Sequence, residues 1–170
     1  LYFFIGSPLH FSGPLSETIA ARLAIAATSR RGTIFNVTSD RWINEQDNLG
    51  IRGQLLFKPS EDLSITLSGD YSKQDPECCG TVFVRVGKTQ RALNRQYDAL
   101  VAAINAANPG RNYATSRNPY DRVSDLDSSL NAGNKIGGVS AKIKWDVGPG
   151  TLTSVTAWRF WDWKPENDRD

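Results

Sequence analysis

Three carboxylates, Asp70, Asp75 and Glu77, crowd into the stretch 70–77, and a close pair of carboxylates is the usual equipment for general acid and base work. They lie where a strand ends and a polar loop begins, and solvated charge is the ordinary reason for acidic residues there. No nucleophile motif, glycine-rich phosphate loop or metal-ligand spacing accompanies them. The sequence therefore predicts no catalytic residue, no cofactor and no metal. Cys78 and Cys79 are adjacent. Adjacent cysteines cannot staple distant segments, and neither has the spaced partners of a zinc site. A vicinal disulfide and two free thiols both remain open. The single histidine, His10, stands in an apolar segment with no polar company and carries no expected chemistry.

Composition excludes several classes. A formal charge of +2 over 170 residues, with basic and acidic side chains interspersed, gives no stripe for nucleic acid. No apolar run approaches the roughly 20 residues of a spanning helix. Spanning strands need only about 9 to 11 residues and average out to an ordinary hydropathy, so a membrane barrel stays open. The chain has no methionine and opens without a basic, then apolar, export signal. Its expected status is an internal fragment.

Alternation locates the elements. In "IRGQLLFKPSEDLSITLSGDYS", Ile51, Leu55 and Phe57, then Leu63, Ile65 and Leu67, fall on one parity. Arg52, Gln54, Thr66 and Ser68 fall on the other. Leu23 and Ile25 alternate with Arg22, and Val139, Ala141, Ile143 and Trp145 alternate with Lys142 and Lys144. The period of two predicts strands at about 18–31, 47–58, 63–73, 136–147 and 151–163. In the last of these the apolar residues change parity, and only a bulge near Ala157 would put them all on one face. Residues 1–12 are apolar enough for a strand, but Pro8 restricts them to an edge or a broken strand. The polar stretch "VTSDRWINEQD" reads as a loop. Between 74 and 134 the spacing of Leu93, Tyr97, Leu100, Val101 and Ile104 predicts one amphipathic helix over about 89–107, ended by Asn108, Pro109 and Gly110.

The breaks at 13–17, 58–62 and 147–150 are short, those at 32–46 and 73–134 are long, and the two kinds alternate. An up-and-down sheet then has every short turn at one end, as outer-membrane barrels do. Greek-key sandwiches have no reason to sort loops by parity. The segments "GPLSETIAARLAIAATSRRG", "NLGIRGQLLFKPSEDLSITLSGDYSKQD" and "GGVSAKIKWDVGPGTLTSVTAWR" resemble early barrel strands of TonB-dependent outer-membrane receptors over residues 13–75 and 134–163.

The resemblance implies an all-β fold: an antiparallel up-and-down meander forming part of a transmembrane barrel, with a short helix in a long external loop and the plug domain absent. It implies a bacterial outer-membrane location and import of a scarce, bulky nutrient such as an iron-siderophore complex. The implied partners are outer-membrane lipid, the rest of the barrel and plug, and, through the plug, the inner-membrane TonB complex. No nucleic acid is among them, and the small-molecule substrate is undetermined. Leu23, Ile25, Ile51, Leu55, Phe57, Leu63, Ile65, Leu67, Val139, Ala141, Ile143 and Trp145 would face lipid. Arg22, Arg52, Gln54, Thr66, Ser68, Lys142 and Lys144 would face the lumen. The competing class is a soluble secreted β-sandwich that binds carbohydrate through Trp158, Trp161 and Trp163.

Overall fold

The computed structural model describes residues 4–82, 84–110, 116 and 118–166. Six long strands make one sheet: β1 (Phe4–Pro14), β2 (Ile19–Arg30), β5 (Gln46–Phe57), β6 (Leu63–Gln74), β8 (Ala132–Asp146) and β9 (Thr151–Pro165). Each lies antiparallel beside the next long strand in the chain, which is the order of a meander. Three short strands, β3 (Ile34–Asn36), β4 (Arg41–Ile43) and β7 (Val123–Ser124), form a second sheet from the two long connections. The open edges of the large sheet are β1 and β9. Pro8 lies in β1, where a missing N–H faces no second neighbour.

Short connections close one end. Beyond Pro14, Leu15 N–H donates to the Ile19 carbonyl at 2.8 Å, and the Ser16 hydroxyl accepts from the N–H groups of Thr18 and Ile19. Between β8 and β9, Val147 N–H donates to the Gly150 carbonyl at 3.0 Å while Gly148 takes φ +89°, a conformation that costs glycine little. The connections β2 to β5 and β6 to β8 leave from the opposite end.

Every ladder of the large sheet keeps an unbroken register. This decides the parity of β9: no bulge occurs, so Trp158 and Phe160 share one face and Arg159, Trp161 and Trp163 the other. Several expectations are corrected. The helix, α1, covers Tyr97–Ala107, preceded by a single 3₁₀ turn at Leu93–Arg95, because Gln96 between them is extended at φ −82°, ψ 158°. Its side chain turns back to donate to the Thr89 and Arg91 carbonyls. The polar stretch after β2 is not all loop, since it contains β4. β8 starts at Ala132, before the apolar alternation sets in, because backbone pairing to β6 and β9 does not depend on which side chains are apolar.

Two adjacent glycines in β8 set contacts on both faces. A Cβ on Gly137 would lie 2.9 Å from Phe160 Cε1 and 2.8 Å from the Asp70 carbonyl oxygen. Phe160 instead leans across this gap toward Tyr71, with ring centroids 6.3 Å apart. On the other face a Cβ on Gly138 would meet the Trp158 carbonyl oxygen at 2.2 Å and Arg159 Cδ at 2.8 Å. Arg159 thereby reaches across β8 to Asp70 on β6, with Nη1 to Oδ1 at 2.6 Å. Gly138→Ala is expected to cost about 1–3 kcal/mol, the usual effect of overpacking. It should be read as a lowered urea midpoint in detergent micelles, and an unchanged midpoint would show that the strands part at no cost.

Candidate functional site

Residues opposite one another in an antiparallel pair point to the same side, and successive residues alternate, so the registers assemble each face row by row. On one face, the charge-free row farthest from the short turns reads Leu9, Ile25, Ile51, Tyr71, Gly137 and Phe160. Next come Phe11, Leu23, Gly53, Gly69, Val139 and Trp158, then Gly13, Ala21, Leu55, Leu67, Ala141 and Thr156. Ile19, Phe57, Ile65, Ile143 and Ser154 follow, and Leu63, Trp145 and Leu152 lie nearest the turns. Toward the long connections the apolar character stops abruptly at Lys73, Lys135 and Asp162, with Asp47 and Lys164 one row further on the same face. Aromatic rings gather at that upper limit, where Tyr71, Phe160 and Trp158 form a run of ring contacts, and Trp145 and Phe57 stand near the lower one.

The apolar band steps by one row between β5 and β6. It runs from Ile19 to Ala27 on β2 and from Phe57 to Leu49 on β5, but on β6 from Leu63 to Tyr71, nearer the short turns by one row. No described sheet covers it, and Phe11, Leu67 and Trp158 are 61%, 50% and 63% exposed. An open trough of about 1130 Å³ spans this face from Phe11 to Trp158, and a smaller hollow of about 450 Å³ lies on the opposite face around Arg22, Gln54 and Thr66. Hollows on both faces are what a twisted sheet presents.

The opposite face carries small and polar residues. Arg22, Gln54, Ser68 and Ser140 form one row, and Gln54 Nε2 donates to Ser68 Oγ at 3.0 Å. His10, Ala24, Arg52, Asp70, Gly138 and Arg159 form the next, centred on the Arg159–Asp70 ion pair. Thr66 pairs with Lys142, and Ser64 with Lys144. Six cations, Arg22, Arg30, Arg52, Lys142, Lys144 and Arg159, thus look toward this side, and its carboxylates are Asp70 and, at the β8–β9 turn, Asp146.

Above the sheet the long connections fold against each other. Their core is Ile43, Leu126 and Leu130, with Ile34 packed on it. Asn36, itself buried, holds Leu126 from both sides, donating to its carbonyl at 2.8 Å and accepting from its N–H at 3.0 Å. Asn44 does the same to Gly80, at 2.9 and 2.8 Å. Cys78 and Cys79 are bonded to each other, and Cys78 N–H donates to the Leu130 carbonyl. Asn36→Ala leaves both Leu126 groups without their amide in a buried place, a loss of about 1–3 kcal/mol. Local opening should accelerate protease cleavage at Arg41 and Arg122 about tenfold or more, with strand circular dichroism unchanged. Unaltered cleavage would mean that Asn36 does not fasten these connections.

A cavity of about 720 Å³ lies between the strand tops and these connections, lined by Glu45, Asp47, Lys73, Asp75, Glu77 and Asn131, among others. Burial raises the Glu45 carboxyl above its ordinary range, and the negative charges of Glu77 and Asp47 add to it against the pull of Arg41. Glu77 is already engaged by Arg41. Asp70 lies apart from Asp75 and Glu77, paired with Arg159 on the sheet, while Asp75 and Glu77 share the cavity with Glu45 and Asp47. Among the described residues no group of histidine, cysteine and carboxylate side chains could hold a metal ion, and no helix is long and apolar enough to cross a membrane.

No family model, curated protein or solved structure matches the chain. The functional reading therefore rests on the faces themselves. Sequence reasoning missed the Gly137–Gly138 pair, whose signal was the doubled glycine opposite Phe160 and Arg159. It also missed the buried asparagines, which only the tertiary contact between two distant connections reveals.

Proposed function

We propose that this chain is part of the wall of a bacterial outer-membrane β-barrel of the TonB-dependent receptor type, a transporter and not an enzyme. The observation that carries the reading is the five-row apolar face that no described element covers. From the row through Pro14, Ala20, Leu56, Thr66, Lys142 and Val155, β1 stops at once while β8 and β9 run on to Asp146 and Thr151. The strand ends are thus staggered by about four residues at the short turns, while at the other end Arg30, Gln46, Ala132 and Pro165 stop level. Along β6 the band from Leu63 to Tyr71 is about 27 Å long, and at the 35–45° tilt of a closed barrel it would stand about 19–22 Å tall, somewhat under the roughly 25 Å apolar belt of outer-membrane barrels. An apolar face with no described layer over it fits a bilayer. A sandwich core needs a second layer to cover it, and no observation favours that alternative.

On this reading Leu23, Ile51, Leu67, Val139 and their row neighbours meet acyl chains. Arg22, Arg52, Gln54, Ser68 and Lys142 line the lumen, and the long connections stand outside the cell. Further strands complete the barrel at β1 and β9, and a plug coupled to the inner-membrane TonB complex supplies the energised step. The test uses single-tryptophan variants in vesicles with brominated acyl chains. Trp145 should be strongly quenched, and Trp161, on the other face, little. Equal quenching of the two would reject the assignment of faces.

A further inference from the structure

The upper end of the polar face holds a group of side chains that wall-building does not require. The rings of Trp161 and Trp163 stack at 5.8 Å with planes 10° apart and stay 65% and 53% exposed. Trp161 Nε1–H donates to Asn134 Oδ1 at 2.7 Å, and Asn134 Nδ2–H donates to Gln74 Oε1 at 3.1 Å. Gln74 lies directly opposite Asn48, and Asn48 opposite Thr28. The row Thr28, Asn48, Gln74, Asn134, Trp163 contains no charge; of the cations of this face, Arg30 lies one row above and donates to the Asn44 carbonyl, and the others lie lower.

We propose that this tier binds a neutral oligosaccharide. A pyranose offers a flat patch of C–H groups, which an exposed indole face covers, and an edge of hydroxyls that both donate and accept. A side-chain amide meets such hydroxyls with a carbonyl and an NH₂ in one plane, and three amides stand side by side here. Aromatic rings with polar neighbours are suited to ligands that are apolar on one face and wet on the other. The hydrogen bond from Trp161 to Asn134 fixes the platform before a ligand arrives, which lowers the ordering cost of binding. From Thr28 to Trp163 the row crosses four strand spacings, about 19 Å, so its ligand is longer than one sugar ring. The absence of charge argues against an anionic ligand at this height. The proposal rests on the barrel reading in placing the tier inside the lumen below the long connections, and it names the substrate class for that lumen.

The test is isothermal titration of the full chain, folded in a sugar-free zwitterionic detergent, with maltohexaose, cellohexaose and xylohexaose. Saturable binding of at least one is expected. It should weaken more than about thirtyfold in W161A/W163A and about tenfold in Asn134→Ala, where one amide contact and the indole anchor go together. Trp163→Phe, which keeps a ring, should retain most of it, and Trp158→Ala, on the opposite face, all of it. Strand circular dichroism of each variant separates lost binding from lost folding. No binding of any of the three sugars, or equal affinity in W161A/W163A, would overturn the proposal. Brominated-lipid quenching of Trp145 reads the barrel assignment separately. Quenching without sugar binding sinks the saccharide site alone, and sugar binding with Trp145 unquenched sinks the barrel alone.

Discussion

In plain buffer the chain is expected to aggregate, and to reach its strand content only when detergent or lipid is supplied. Its described buried apolar core is Ile43, Leu126 and Leu130, which holds the long connections and does nothing for the large sheet. That sheet exposes five rows of apolar side chains on one face, whereas the largest apolar patch of an ordinary soluble monomer is about 300–600 Å². It also leaves β1 and β9 as unpaired edges, and an edge that is long and regular pairs readily with another chain. Both features drive association in water, and a micelle answers the first directly. Size-exclusion chromatography with light scattering, with and without detergent, gives the measurement. A monodisperse, cooperatively unfolding monomer in buffer would remove the membrane reading.

The large sheet was legible because its residues state their own period. Ile51 to Phe57 and Leu63 to Tyr71 alternate, Leu56 being the one large apolar residue on the polar parity, and β5 and β6 begin and end within a residue of the expected 47–58 and 63–73. The tight break between them needed only Pro59 and the polar residues around it. Strand β9 was different: Val155 and Ala157 sit on one parity and Trp158 and Phe160 on the other, so period alone could not choose a face. The neighbouring strand decides it, because the unbroken pairing of β8 with β9 places Trp158 opposite Val139. The small sheet was illegible for a related reason. β3, β4 and β7 are two or three residues long, too short for any period, and they exist because Asn36 reaches Leu126 and Asn44 reaches Gly80 across the sequence.

The same logic separates the sites. The apolar and polar sets of residues could be written from parity alone, since each row repeats what the strands say. The saccharide tier could not, because Trp161, Asn134 and Gln74 come from three strands and become one network only through register. Composition showed the tryptophans, and register supplied the amides beside them. In the lower rows Arg159 and Asp70 likewise meet only because Gly138 leaves the space between them.

Leu67→Arg is expected to destabilise the lipid-embedded fold by about 2–4 kcal/mol, and Thr66→Arg, one residue away, by no more than about 1 kcal/mol. Leu67 stands at the middle of the band on β6, between Leu63 and Tyr71, and its side chain is 50% exposed with no described element above it. On the barrel reading an arginine there must carry its charge at the centre of the hydrocarbon or bend the bilayer to reach water. Thr66 points the other way, opposite Lys142 and Leu56, where on the same reading a lumen supplies water and a lysine is already tolerated. Adjacent positions on one strand share backbone pairing and propensity, so the difference between them reports only what each face meets. Urea unfolding in phospholipid vesicles gives both values. Position within the band adds a gradient, because an arginine at Leu63 or Tyr71, near its limits, should cost less than one at Leu67 by reaching the interface. Equal costs at 66 and 67, or no fall toward the band's edges, would mean that this face does not lie in a membrane.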